Sequence, residues 1–170
     1  VEAKDEAIFV EALPEHPWNN PPPIDAGVLS EIDTDILAVF DTDQLLMPSD
    51  VRGDYETLRE AVLAEGWPTL AATAGKIYFG LDNGGSVMDT YLALHPELSS
   101  QILFTSSPRG DDRAAFTKRN DPYANDIAEL AELGYLIRTR ADYDTVQSVN
   151  NDYSQRDQAF ASGAHFISSD

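Results

Sequence analysis

Residues two apart on a β-strand share a face, and this sequence twice puts charged groups at that spacing. Near its start Glu2 and Lys4 stand two apart in the short strand-like run Val1 to Lys4. A carboxylate and an ammonium on one face can serve one pocket, or can simply pair as ions at a strand end. Further on, Arg138 and Arg140 flank Thr139 in YLIRTRAD. Two inward arginines are costly to bury without an anion. Either one of them meets a phosphate through its planar fork of donors, or they pair with nearby acids such as Asp142, Asp144 or Glu132. Asp82 and Asn83 precede Gly84 and Gly85, so these residues can serve a tight turn on backbone grounds alone. Asp82 becomes a site residue only if it points inward. Asp142 and Asp170 end two further strand-like runs. Together with Thr105, Ser106 and Ser107 they complete a set that mixes hard oxygen ligands with cations, as a phosphate-ester site with a divalent metal requires.

Other chemistries lack their residues. The sequence contains no HExxH, GxSxG, P-loop, GxGxxG or EF-hand pattern, and no cysteine. Of the three histidines, His16 falls in a proline-rich loop, His95 precedes Pro96 at a helix end, and His165 begins the last strand. The simplest reading makes His16 and His95 surface residues and His165 a partly buried strand residue. None forms an evident acid and base pair.

Such residues need a scaffold that presents strand ends. The 170 residues are 42% hydrophobic, enough for one domain with a sizeable core. Strand-like runs at Val1 to Lys4, Lys76 to Leu81, Gln101 to Thr105, Tyr135 to Thr139 and His165 to Ser168 alternate with amphipathic helices. The helices are expected around Ser30 to Phe40, and at Asp54 to Glu65, Gly85 to His95, Asp126 to Leu133 and Ser154 to Ser162, several of them stopped by a glycine. The proline-rich segment Pro14 to Pro23 reads as an insertion loop. This alternation predicts an α/β domain with a parallel sheet. About five of the eight βα units of a TIM-type barrel are accounted for, with an open doubly wound sheet as the alternative. In either, reactive groups gather at the C-terminal strand ends.

Thirty acidic residues against eleven basic ones give a net charge of −19, which argues against a nucleic-acid partner. No run of apolar residues is long enough for a transmembrane segment, and the first residues lack the form of a signal peptide. The positive charge is local, crowded from Arg109 to Arg156.

The segments VEAKDE, LLMPSDVRGDYETLREAVLAEGWPTL, GKIYFGLDNGG, ILFTSSPRGDDRAAFTKRNDP, GYLIRTRADYDT and RDQAFASGAHFISSD, in that order, resemble the later part of the calcium-dependent phosphoinositide phospholipase C family. The resemblance implies a TIM-type barrel in which calcium and two histidines cleave the phosphodiester of an inositol lipid. It implies Glu2 as a calcium ligand and Lys4 as a phosphate contact; by their strand-end positions, Arg138 and Arg140 are candidate further substrate contacts and Asp82, Asp142 and Asp170 candidate site-lining residues. It also implies that the catalytic histidines lie upstream of Val1. The chain is then the C-terminal portion of one barrel, inactive alone, and its partners are a phosphoinositide or glycerophosphodiester substrate and either the N-terminal part of the barrel or a second copy. Secretion is expected by resemblance alone. A glycerophosphodiester phosphodiesterase is the neighbouring enzyme reading, and a non-catalytic binding module the reading from another class.

Overall fold

The computed structural model describes residues 2–3, 23–143 and 145–169. Lys4, His16, Asp170, Asp144 and nearly all of the Pro14 to Pro23 loop therefore lie outside the described residues.

Among the described residues, eight short strands alternate with helices: β1 (Glu2–Ala3), α1 (Ala26–Val39), β2 (Leu45–Leu46), α2 (Pro48–Arg52), α3 (Leu58–Glu65), β3 (Ile77–Tyr78), β4 (Gly80–Leu81), α4 (Gly85–Leu94), β5 (Phe104–Thr105), β6 (Phe116–Lys118), α5 (Ile127–Glu132), β7 (Leu136–Arg140), α6 (Val146–Val149), α7 (Ser154–Ala161) and β8 (Phe166–Ser168). Every strand pair is parallel. β1, β4 and β5 form one ladder and β6, β7 and β8 another, joined by a parallel bridge between Ser106 and Phe116. The order along this sheet follows the sequence without reversal, so the described strands show no switch point of the doubly wound kind. Its two ends, β1 and β8, are not paired with each other among the described residues. β2 pairs separately with β3, which leads through Phe79 into β4.

Two of the helices start where polar side chains cap them. Asp25 accepts the Val28 amide at 3.0 Å, so α1 begins earlier than periodicity suggests. Thr57 and Glu60 form a reciprocal capping box, which shortens α3 at its front; residues 54–56 lie outside the helix. Gly134 turns the chain after α5 at φ +91°, where an added Cβ would sit 2.7 Å from the Val62 carbonyl oxygen of α3. Only glycine fits both the backbone conformation and that approach.

Strand alternation then divides the side chains. Phe79, Leu81 and Leu103 face out and pack with Leu29 and Ile36 of α1 and Tyr91 of α4. Ile137 does the same against Ile127 and Leu130 of α5. The opposite face carries Tyr78, Phe104 and Phe116, clustered with Val51, Leu58 and Val62 of α2 and α3. Tyr78 is the hub: its ring centre lies 4.9 Å from Phe104, 5.9 Å from Phe116 and 6.4 Å from Phe166, the last pair nearly parallel. An aromatic layer therefore fills the inner face near the N-terminal strand ends, and the residues that follow it along each strand form the next layer up.

Candidate active site

Two residues beyond Gly80 on the inner face comes Asp82; two beyond Phe116 comes Lys118; two beyond Leu136 comes Arg138, then Arg140. Sheet register brings these together. Lys118 is the partner of Arg138, which is the partner of Phe166, and Arg140 is the partner of Ser168. Tyr78, Gly80, Phe116, Arg138, Phe166, Ile167 and Ser168 line one cavity of about 220 Å³, apolar below and basic above.

The charged groups of this upper layer are buried. Asp82 is 2% exposed, Arg138 4% and Arg140 7%, so solvent does little to offset their charge. Lys118 reaches across β5 to Asp82: its Nζ lies 2.7 Å from the carboxylate oxygen Oδ1 and donates to the Asp82 backbone carbonyl at 2.7 Å. Its own amide donates to Ser106 Oγ on the strand between. Arg138 Nη1 donates to Asn120 Oδ1 at 2.6 Å, and the Arg140 guanidinium carbon lies 5.6 Å from the Tyr143 ring centre. Thus Asp82 does point inward, and the two arginines share a face as their spacing predicted.

Asp142 is buried too, but in a different setting. It accepts a hydrogen bond from Ser169 Oγ at 3.2 Å and lines a second cavity of about 150 Å³ with Asp152, Tyr153 and Arg156, just past the ends of β7 and β8. Glu2 is the register partner of Gly80, directly beside the strand that carries Asp82. Gly80 lets the Tyr78 hydroxyl approach this strand, since a Cβ there would meet Tyr78 Oη at 3.2 Å.

No group of three or more His, Asp or Glu side chains able to hold a metal gathers among the described residues. Asp82, the acid best placed, is committed to Lys118. Calcium takes roughly six to eight oxygen ligands. The described residues alone do not build that shell.

The described histidines lie away from this layer. His165 precedes β8 at its N-terminal end, where its Nδ1 accepts the Ile137 amide at 3.2 Å and burial lowers its pKa. His95 is not the surface residue that its place beside Pro96 suggests. Its Nε2 lies 2.7 Å from Asp33 Oδ2, and its ring packs 4.5 Å from that of Tyr91. Tyr91 accepts the Ile102 and Leu103 amides, so α1, α4 and the start of β5 are tied through one buried network. Burial raises the pKa of Asp33 despite the opposing pull of His95, and burial likewise pushes the Tyr91 hydroxyl up.

Lys118 is the residue that the sequence reading passed over. The signal was present in FTK, where an apolar residue and a base stand two apart as in the arginine strand. Three residues between Ala115 and Arg119 were too short a run to stand out as a strand.

The sequence matches the family model described as "Phosphoinositide phospholipase C, Ca2+-dependent" over residues 1–170. No curated protein matches it. Among solved structures, a Ca2+-dependent phosphatidylinositol-specific phospholipase C enzyme from Streptomyces antibioticus superposes with a TM-score of 0.58 at 21% identity, covering 81% of this chain and 56% of that one. The chain thus spans little more than half the length of that enzyme, and at this identity the likeness is one of fold.

Proposed function

We propose, given that this chain belongs to the calcium-dependent phosphoinositide phospholipase C family, that it forms the later part of a TIM-type barrel that hydrolyses the phosphodiester of phosphoinositide lipids. The observation that carries this reading is the buried polar layer at consecutive parallel strand ends, where Asp82, Lys118 and Arg138 stand above an aromatic floor. Parallel barrels keep their reactive groups at that end.

In this reading Arg138 and Arg140 hold the anionic phosphate, the former already oriented by Asn120. By the family resemblance, Lys4 is assigned a contact to the same phosphate and Glu2 the role of a calcium ligand. Bound calcium would supply positive charge to the phosphoryl oxygens as the leaving oxygen departs. The aromatic floor excludes water beneath the phosphate and so strengthens each charged contact above it. By the family resemblance, proton transfer falls to histidines outside the described residues. Asp142 stands at the second cavity past the ends of β7 and β8, beside this site rather than in it.

Assaying the full-length protein on phosphatidylinositol and on glycerophosphoinositol, each with calcium and with chelator, tests this reading. Calcium-dependent release of diacylglycerol from the lipid supports it. Turnover of glycerophosphoinositol alone would reassign the protein as a glycerophosphodiester phosphodiesterase, and no turnover of either would leave a binding module.

A further inference from the structure

Three cations stand on the inner face of two neighbouring strands, in a chain whose net charge is −19. Arg138 and Arg140 come from β7, and Lys118 stands directly beside Arg138 on β6. Neighbouring strands lie about 4.8 Å apart, so the Lys118 and Arg138 stems are adjacent. Their surroundings differ. Arg138 is held by Asn120 and is nearly inaccessible, whereas the Lys118 side chain is 22% exposed. The ammonium has three protons to give. The Asp82 carbonyl accepts one hydrogen bond and its carboxylate pairs with the ammonium as an ion at 2.7 Å, and among the described residues Nζ has no further partner. Asp82, with a side chain 3% exposed, is a buried anion that Lys118 neutralises; Lys118, in turn, is fixed at a strand end with one donor left over.

We propose that Lys118 contacts the phosphate of the substrate in this site and that Asp82 is its positioning residue. The inference rests on the phosphodiesterase reading above for its substrate, an inositol phosphate ester, while the anion contact stands on the geometry alone. A lysine acts here as a point charge that a tethering carboxylate keeps from swinging into solvent, and an incoming phosphate oxygen takes the remaining donor. No proton changes hands in this contact.

The test uses the full-length protein and inositol 1-phosphate as probe, with binding measured by calorimetry beside hydrolysis of phosphatidylinositol. Lys118→Gln is expected to weaken inositol 1-phosphate binding at least about tenfold, the scale of one charged hydrogen bond, and to raise KM in step. Lys118→Arg restores most of the affinity because the charge remains. Asp82→Asn weakens binding less than Lys118→Gln, and the double variant is no weaker than Lys118→Gln alone, since both act through one ammonium. A merely structural pair would lower thermal stability in Asp82→Asn and Lys118→Gln and leave the affinity of the folded fraction unchanged, which overturns the proposal. So does wild-type protein that fails to bind inositol 1-phosphate. If Lys118→Gln does not fold, Asp82→Asn decides: weaker binding there, with Lys118→Arg near wild type, supports the contact, and unchanged binding in Asp82→Asn overturns it. Lys118-dependent binding without hydrolysis of phosphatidylinositol would keep this inference and reject the enzyme reading.

Discussion

Arg138 and Arg140 occupy one face of β7 but are held differently, so exchanging each for lysine should not have equal effects. Arg138 donates to Asn120 at 2.6 Å within the cavity wall, while Arg140 lies beside the Tyr143 ring near the mouth. Replacing Arg138 by Lys keeps the charge and loses the planar fork, so KM for phosphatidylinositol is expected to rise about tenfold with a smaller change in kcat. Arg140→Lys should cost less, because a lysine near the mouth keeps a comparable contact with the ring. Steady-state kinetics of both variants check this, and equal KM values in both variants and wild type would make the arginines structural. At this scale the sequence was readable where a spacing rule applied. The two arginines share a face because alternation on a strand leaves no choice, and Asp82 lies two residues past Gly80 on the inner face for the same reason. His95 and Lys118 were not readable, since the partners Asp33 and Asp82 stand 62 and 36 positions away in sequence and only the folded sheet brings them near.

Between elements, two contacts carry stability that local propensity does not. Gly134 lets α5 end against α3, and its Cβ would lie 2.7 Å from the Val62 carbonyl with φ at +91°. Gly134→Ala should therefore destabilise the fold by on the order of 2 to 4 kcal/mol, read as a shift in the urea midpoint. A change below about 0.5 kcal/mol would mean that the close approach is not present in solution. The second contact links the end of β6 to the start of α5, where Arg119 donates to both Asp126 oxygens at 3.0 to 3.1 Å. These hydrogen bonds hold the Asp126 carboxyl below the usual carboxylate range. Because the folded-state pKa is depressed, the contribution is present above the ordinary aspartate value and is lost as pH falls through the folded value. Asp126→Asn should lower the melting temperature at neutral pH and converge with wild type in strong acid, and an equal gap at both pH values would remove the ion pair from the account. Strong apolar runs announced most of these elements. β2 and β6 escaped because Leu45–Leu46 and Phe116–Lys118 are too short to show a period, and they form as strands through pairing with β3 and β7.

For the whole molecule, the sheet order is the decisive feature. Strands that follow one another in sequence also neighbour one another in space, from β1 through β4, β5, β6 and β7 to β8. At β8, Phe166 is 48% exposed although it stacks on Tyr78 at the cavity wall. Strand edges left unpaired among the described residues, and the exposed Phe166 ring, favour further association. The 170-residue chain made alone is therefore expected to self-associate, more strongly as salt screens its charge of −19, in sedimentation at several concentrations. A monodisperse monomer at every salt concentration would contradict that. The order of the strands was implicit in the alternation of runs and helices; what covers β1 and β8 was not, because an edge is defined by what lies beyond it. The central claim, that this sheet carries one wall of a calcium-dependent phosphodiesterase site, is tested most directly by the calcium dependence of phosphatidylinositol hydrolysis in full-length wild-type protein and in Glu2→Gln. The account predicts calcium-dependent turnover in wild type and a steep loss in Glu2→Gln with folding intact. Turnover in wild type with an unchanged calcium requirement in Glu2→Gln would contradict it.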